Sequence, residues 1–295
     1  MKTALLATLA VLAVGYAVVL VVGIRRFVPA KDGSDARWVP TWLDTLIGFV
    51  TNFFDTLGIG SFAPTTAWYH HAKLVPDELI PGTMNAGHTM PVLLMAYLYI
   101  DSVEVESTTL VSLVVSAMLG AWFGAGVVSR LPKKRIQIGM GIALVVAAFL
   151  MAASQLGLKP GGAEALGLDW PVLVPACLVM AVLGALNTIG VGLYAPCMIL
   201  ISLLGMNPRA AFPIMMGACA FLMPVASTRF VLEKKQRMSA ALGLALGGLP
   251  AVLVAALIVK SVPLYALKWL VIAVVLVTAG QMLRSARRPR SSSRG

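Results

Sequence analysis

Charge is scarce in this sequence. Aspartate, glutamate, lysine and arginine make up 12% of the 295 residues, whereas hydrophobic residues make up 59%. Soluble domains average about 25% charged residues, and no soluble core of this size needs so much apolar surface. Long polar stretches are equally rare: 25–40, 157–170 and the tail beyond 283 are the longest. Too little chain is left over for a sizeable soluble domain. Cysteine is limited to Cys177, Cys197 and Cys219, all within apolar segments and without paired spacing. Neither a disulfide framework nor a zinc site is expected from them.

Apolar runs near the bilayer-spanning length of about 20 residues fill the chain instead. They cover 5–24, 108–128, 136–156, 238–259 and 264–283, with shorter or interrupted runs at 42–74, 84–100, 172–206 and 212–230. This pattern predicts an all-α polytopic membrane protein, multi-pass in the cell inner membrane, with the lipid bilayer as a partner. The net charge of +11 does not argue for nucleic acid, because the basic residues flank apolar runs rather than share one soluble face. The first run has a second reading as a signal peptide. It is long for one, and Arg25-Arg26 follow directly, so a retained first helix is expected.

Lysine and arginine also orient the chain. With the N-terminus outside, the cytoplasm receives Arg25, Arg26, Lys31, Arg37, Lys73, Arg130, Lys133, Lys134, Arg135, Arg229, Lys234, Lys235 and Arg237. With Arg284, Arg287, Arg288, Arg290 and Arg294 of the tail, that is 18 of the 23 basic residues. The bias favours N-out/C-in. It works only if 42–74 enters and leaves on the cytoplasmic side and 172–206 on the outer side, which two re-entrant helical hairpins would satisfy. About seven full spans plus two hairpins result. The expected organisation is a first helix and loop at 1–40, a first repeat at 41–156, an external loop at 157–170, a second repeat at 171–283 and a basic tail at 284–295.

The two hairpin segments resemble each other. Asp55, Thr56, Gly58, Gly60, Ala63 and Pro64 recur, at one constant offset, as Asn187, Thr188, Gly190, Gly192, Ala195 and Pro196. The same offset pairs Pro76 with Pro208, Pro81 with Pro213 and Met84 with Met216. Since the first copy begins inside and the second outside, the repeat is expected to be inverted, an arrangement found in secondary transporters. Gly58 and Gly60 can take backbone conformations closed to other residues and so stop a helix. Pro64 suits the first turn of the next helix, which is too short to span the bilayer comfortably. Such a tip places free N–H groups and a positive helix end inside the membrane, and both favour an anion. Simple kinking by glycine and proline is the competing explanation.

The paired Gly-x-Gly-x-x-x-Pro hairpins, the small-residue helices after each and the basic loop from Arg130 to Arg135 resemble the sulfite exporter TauE/SafE family, also called the toluene sulfonate uptake permeases. The resemblance covers about 42–283. Members commonly carry a denser glycine cluster at the hairpin, where this chain has Ser61-Phe62 and Leu193-Tyr194, so it resembles a divergent branch. The resemblance implies transport, with export the expected direction, of sulfite, organosulfonates or related sulfur anions, coupled to protons.

Candidate substrate contacts are Thr56, Gly58, Gly60, Ser61, Pro64, Thr65, Asn85, Asn187, Thr188, Gly190, Gly192, Pro196 and Cys197. For the hydroxyls, helix capping is an equal alternative; for Cys197, packing is the alternative. A carboxylate in an apolar segment is costly and usually functional. Asp55 is therefore a candidate for proton coupling, as is His88, although each could instead satisfy backbone or packing neighbours. Asp55, His70, His71 and His88 lack metal-ligand spacing, and neither a metal nor another cofactor is expected. No nucleophile–base–acid set stands out, so an enzyme is not expected. A non-transporting assembly or sulfur-relay protein, and a channel for another small anion, stay open. The small-residue run from Gly120 to Gly126 allows close helix packing, within one chain or across a homodimer.

Overall fold

The computed structural model describes residues 2–26, 39–128, 133–156, 165–188, 193–261 and 263–287. Apart from an isolated bridge between Ala165 and Met206, their regular structure is helical. In chain order the helices are α1 (Lys2–Arg26), α2 (Trp42–Thr56), α3 (Phe62–His71), α4 (Ile80–Ser102), α5 (Ser107–Val128), α6 (Lys133–Gln155), α7 (Trp170–Thr188) and α8 (Tyr194–Leu203). A 3₁₀ turn at Pro208–Ala210 precedes α9 (Ala211–Leu232), α10 (Met238–Ser261) and α11 (Leu264–Arg287).

Four stretches among the described residues are long and apolar enough to cross a membrane: Lys2–Arg25, Trp170–Asn187, Pro208–Leu232 and Met238–Val259. The second is the first arm of the segment 172–206, expected from the sequence to be a hairpin. It has 19 residues and no charge in α7, against 15 residues and two aspartates in α2. By length and composition α7 could therefore cross, whereas α2 is too short to meet the same criterion.

The polar residues of α2 explain its placement. Asp44, Gly48, Thr51, Asn52 and Asp55 fall at helical spacing on one stripe, and that stripe is buried, while Trp42, Leu46, Phe49 and Phe54 are exposed. A helix of this kind turns its apolar side outward to lipid and its polar side inward to protein. α2 lies along α10 and α7 lies along α5, while α4 packs on α9 and α6 on α11. The first arm of each half thus rests on a long helix of the other half.

Glycines permit these contacts. A Cβ at Gly120 of α5 would land on the Ala181 carbonyl, and one at Gly184 of α7 on the Ala117 carbonyl. The other crossing has the same design, with Gly247 of α10 against the Thr45 carbonyl and Gly48 of α2 close against the Leu244 backbone. Helices in lipid gain little from the hydrophobic effect between them, so backbone-to-backbone approach carries much of the association. Gly120 therefore serves packing within the chain.

The hydrogen bonding after each tip also repeats. Thr65 N–H donates to Ser61 O (3.1 Å), and Cys197 N–H to Leu193 O (3.0 Å). Leu74 N–H donates to Tyr69 O and Met206 N–H to Ile201 O, both at 3.1 Å. Lys73 and Gly205, a pair at the same offset, both take positive φ (49° and 76°) just past the ends of α3 and α8.

The ends of the elements sort into two groups. The Arg237 guanidinium donates to Leu74 O, its backbone N–H donates to the Thr83 hydroxyl (2.9 Å), and Gly243 packs on Asp44 and Pro40. Both ends of the α2–α3 pair therefore lie with the start of α10. Ala165 N–H donates to Gly205 O (3.2 Å), Asn207 N–H to Ala165 O (2.9 Å) and Glu106 N–H to Leu166 O (2.7 Å). Both ends of the α7–α8 pair therefore lie with the start of α5. The 23 residues of α4, about 34 Å of helix, separate the two groups. α1 packs on α4 and α9 through Leu9, Tyr16 and Leu20, with the Tyr16 hydroxyl donating to Ala86 O (2.9 Å).

Glu106 closes the start of α5. Its carboxylate accepts from the Thr109 hydroxyl (2.6 Å), from Thr109 N–H (2.8 Å) and from Thr108 N–H (3.1 Å), and the Thr109 hydroxyl oxygen accepts from Leu168 N–H (2.9 Å). The Thr109 hydroxyl first, with the other donors, holds this exposed carboxyl down at about 2, against an ordinary 4.5. A depressed carboxyl stabilises the fold above its unfolded value and loses that contribution as pH falls from 4.5 towards 2. Glu106→Gln should lower the thermal midpoint in detergent at neutral pH, and the gap to the parent protein should narrow near the bottom of that window. Gly120→Val or Gly247→Val should cost about 3 kcal/mol or more, seen as loss of the folded monodisperse species in size-exclusion and thermal-unfolding assays.

Candidate functional site

α2 ends where glycine lets it. Gly58 and Gly60 have φ of +94° and +89°, values that L-residues rarely adopt. Gly58 N–H folds back to Asp55 O (2.8 Å) and Ile59 N–H to Phe54 O (3.1 Å). α3 then restarts at Phe62, with Pro64 in its first turn. Ser61 holds the N-cap position but does not cap; its hydroxyl donates instead to Asp55 Oδ2 (3.0 Å). Leu193, at the same place before α8, has no polar side chain, so neither short helix has a side-chain cap.

The first tip and the described residues on either side of 189–192 line one cavity of about 220 Å³. Asp55 and Asn187, Ser61 and Leu193, Phe62 and Tyr194, and Ala63 and Ala195 all line it, each pair related by the offset of the sequence repeat. Gln137 of α6, Cys219 of α9 and Thr278 and Gln281 of α11 complete its polar wall. Lysine and arginine are absent from the described lining residues. Asp55 is fully buried, and no ion pair among the described residues includes it.

A second cavity of about 530 Å³ lies at the opposite end of α4, lined by Tyr99, Ser102, Glu104, Asn207, Arg209 and Phe212 with apolar residues of α10. The Tyr99 and Phe212 rings stack with centroids 5.1 Å apart, and the Tyr99 hydroxyl donates to Thr56 O (3.1 Å). This pair closes the α2 tip towards that end.

Behind the first tip runs a buried polar chain. The Thr65 hydroxyl lies 2.7 Å from Ser61 O and 3.1 Å from His88 Nε2, within hydrogen-bond reach of both. His88 Nδ1 lies 3.1 Å from Asn52 Oδ1, and Asn52 Nδ2 donates to Gly48 O (2.7 Å). Asn52, Thr65 and His88 are all fully buried. Their mutual bonds offset a desolvation cost of about 1–3 kcal/mol per unmatched group.

Of the residues singled out from sequence, Asp55, Gly60, Ser61 and Asn187 line the first cavity. Thr65 and His88 stand one layer behind. Thr56 turns its hydroxyl back to Asn52 O (2.7 Å). Gly58 packs beside Met198, and Pro196 and Cys197 are buried in α8. Asn85 bonds its own helix at Pro81 O (2.9 Å), away from the cavity. Gly190 and Gly192 lie outside the described residues, as does the side chain of Thr188. His70 pairs with Asp77 at the surface (2.8 Å). Among the described residues no group of three His, Cys, Asp or Glu side chains could hold a metal ion.

Sequence reasoning missed Asn52, Tyr99, Gln137, Tyr194, Thr278 and Gln281. A signal for Asn52 was present: it falls between Gly48 and Asp55 on the polar stripe of an otherwise apolar helix. No family model, curated protein or solved structure matches the chain.

Asn52→Leu would leave His88 Nδ1 buried without a partner and should cost about 1–3 kcal/mol. Asn85→Leu removes only a bond within one helix turn and should stay within about 0.5 kcal/mol. Thermal unfolding in detergent, following both variants beside the parent, checks the contrast.

Proposed function

We propose that this chain is a proton-coupled secondary transporter of small sulfur-containing anions, working by alternating access between two inverted halves. The observation that carries the reading is a cavity lined by residues of both copies of the sequence repeat, those at the α2–α3 tip and their equivalents on either side of 189–192. A helix interrupted inside the apolar layer leaves unpaired N–H groups that must find partners. Here the first turns of α3 and α8 lack side-chain caps and open on one space, where an anion can take those bonds. Sulfite, a sulfonate or thiosulfate offers several acceptor oxygens in a volume that 220 Å³ accommodates. The sequence resemblance to TauE/SafE proteins supports the same substrate class.

The grouping of element ends supports inversion: the α2–α3 ends lie with the start of α10 and the α7–α8 ends with the start of α5. On this reading α1 and three helices in each half form about seven full spans, with the two hairpins in addition, N-out and C-in, in the inner membrane. The charge pattern gives the orientation.

Asp55 supplies the coupling. An ionised carboxylate beside a bound anion is repulsive, so anion binding favours a protonated Asp55, and proton binding favours the anion in return. Proton and anion then travel together, and the imposed gradients decide between export and uptake. Asn187 keeps the shape without the charge, so coupling belongs to the first half alone.

A second reading comes from the same wall. With a carboxylate, amide and hydroxyl oxygens and no basic side chain among its described residues, the cavity also fits a small hard cation. Purified protein in proteoliposomes distinguishes the two. Saturable flux of labelled sulfite, toluene sulfonate or thiosulfate should follow an imposed pH gradient. Asp55→Asn should uncouple that flux from the gradient, and Gly58→Leu should abolish it. Folded protein that moves none of these anions, yet carries a cation lost in Asp55→Asn, would replace the first reading by the second.

A further inference from the structure

The hydrogen bonds around His88 have a donor count that fixes which nitrogen can exchange a proton. Gly48 O can only accept, so Asn52 must present its Nδ2 to it (2.7 Å). Asn52 Oδ1 then faces His88 Nδ1 (3.1 Å) and, being an acceptor, requires a hydrogen there. The other ring nitrogen meets the Thr65 hydroxyl, which has one proton and two calls on it: Ser61 O at 2.7 Å and His88 Nε2 at 3.1 Å.

We infer that His88 Nε2 is a proton-binding site, with Asn52 as the positioning residue that keeps Nδ1 protonated throughout. In the neutral ring Nε2 accepts from the Thr65 hydroxyl, and Ser61 O keeps only its backbone partner, Thr65 N–H (3.1 Å). Proton binding from water adds an N–H bond at Nε2. That N–H now donates to Thr65 Oγ1, whose own proton swings to Ser61 O. One proton therefore changes one hydrogen bond at the residue that opens the first hairpin. Ser61 is also the partner of Asp55 through its hydroxyl (3.0 Å), so two ionisable groups act on a single residue from its two ends. The link from His88 to Asp55 passes through the Ser61 backbone, so the two groups are coupled by geometry rather than by a continuous proton wire.

The surroundings contain few competing charges. α2 brings Asp55, and α3 brings the Phe62 ring, tilted over His88 with centroids 5.9 Å apart. α1 brings Tyr16, bonded to Ala86 O. α9 brings Ser227, held by Thr89 at 2.6 Å, and its ionisable residues Cys219 and Arg229. α10 has Lys260, near its far end, as its one ionisable residue. In the second half Thr65 is replaced by Cys197 and Asp55 by Asn187, so the arrangement has no duplicate.

The role in coupling rests on the transport reading; the protonation chemistry does not, and the experiment separates them. His70→Gln together with His71→Gln leaves His88 as the single histidine. Solid-state ¹⁵N NMR of that protein, labelled at histidine in bilayers, reads each ring nitrogen across a titration from about pH 4 to about pH 9. The expected result is a neutral ring protonated at Nδ1 and a titration confined to Nε2. Asn52→Leu should then convert the neutral ring to the Nε2–H form. A neutral Nε2–H ring in the parent protein, or an Nε2 that never gains a proton across the range, overturns the inference whether or not flux is found. If Asn52→Leu does not fold, the parent tautomer decides alone. A correct tautomer in a protein that transports nothing would leave this inference standing and remove the transport reading.

Discussion

A backbone that stops being helical inside an apolar layer has to hide its unpaired groups, because no water is there to take them. Much of this fold follows from meeting that condition at the turn after Thr56. The turn needs an enclosing shell, and α10, α4 and α9 supply it. α2 must present polar side chains to that shell, which is why its stripe from Asp44 to Asp55 faces inward and its aromatic residues face out. The close approach that seals the shell is possible only where Gly48 and Gly247 remove side chains between the two backbones. The cavity is the space left where the free helix starts point.

Once such a space exists, small differences between the two halves acquire chemical meaning. The backbone after each tip hydrogen-bonds alike, down to the left-handed residues Lys73 and Gly205. The side chains at the tips do not match. One half has Asp55, Ser61 and Thr65, and the other has Asn187, Leu193 and Cys197. The backbone pattern is thus kept in duplicate while the carboxylate is confined to one copy.

The break in α2 and the short α3 were legible in the sequence because glycine and proline act locally. Asp55 stood out as a carboxylate in an apolar run, and Gly60, Ser61 and Asn187 as neighbours of the repeated glycine motif; all four line the cavity. Gln137, Thr278 and Gln281 were not legible. Each is a single polar residue on a long helix, and only the rotation of that helix against its partner brings it to the cavity. Asn85 was overvalued and Asn52 overlooked, since nearness to His88 in sequence says little about which amide meets the ring.

The inward-facing polar stripe of α2 has a consequence for how the protein is made. A helix with Asp44, Thr51, Asn52 and Asp55 along one side is a poor candidate for lateral release into lipid on its own. Its main partner, α10, is synthesised only after every helix from α3 to α9. α7 meets no such delay, since α5 precedes it in the chain. The ribosome therefore delivers the first half before the surface that shelters its least lipid-compatible helix exists. Until α10 emerges, the polar stripe of α2 lacks the helix that covers most of it in the finished fold.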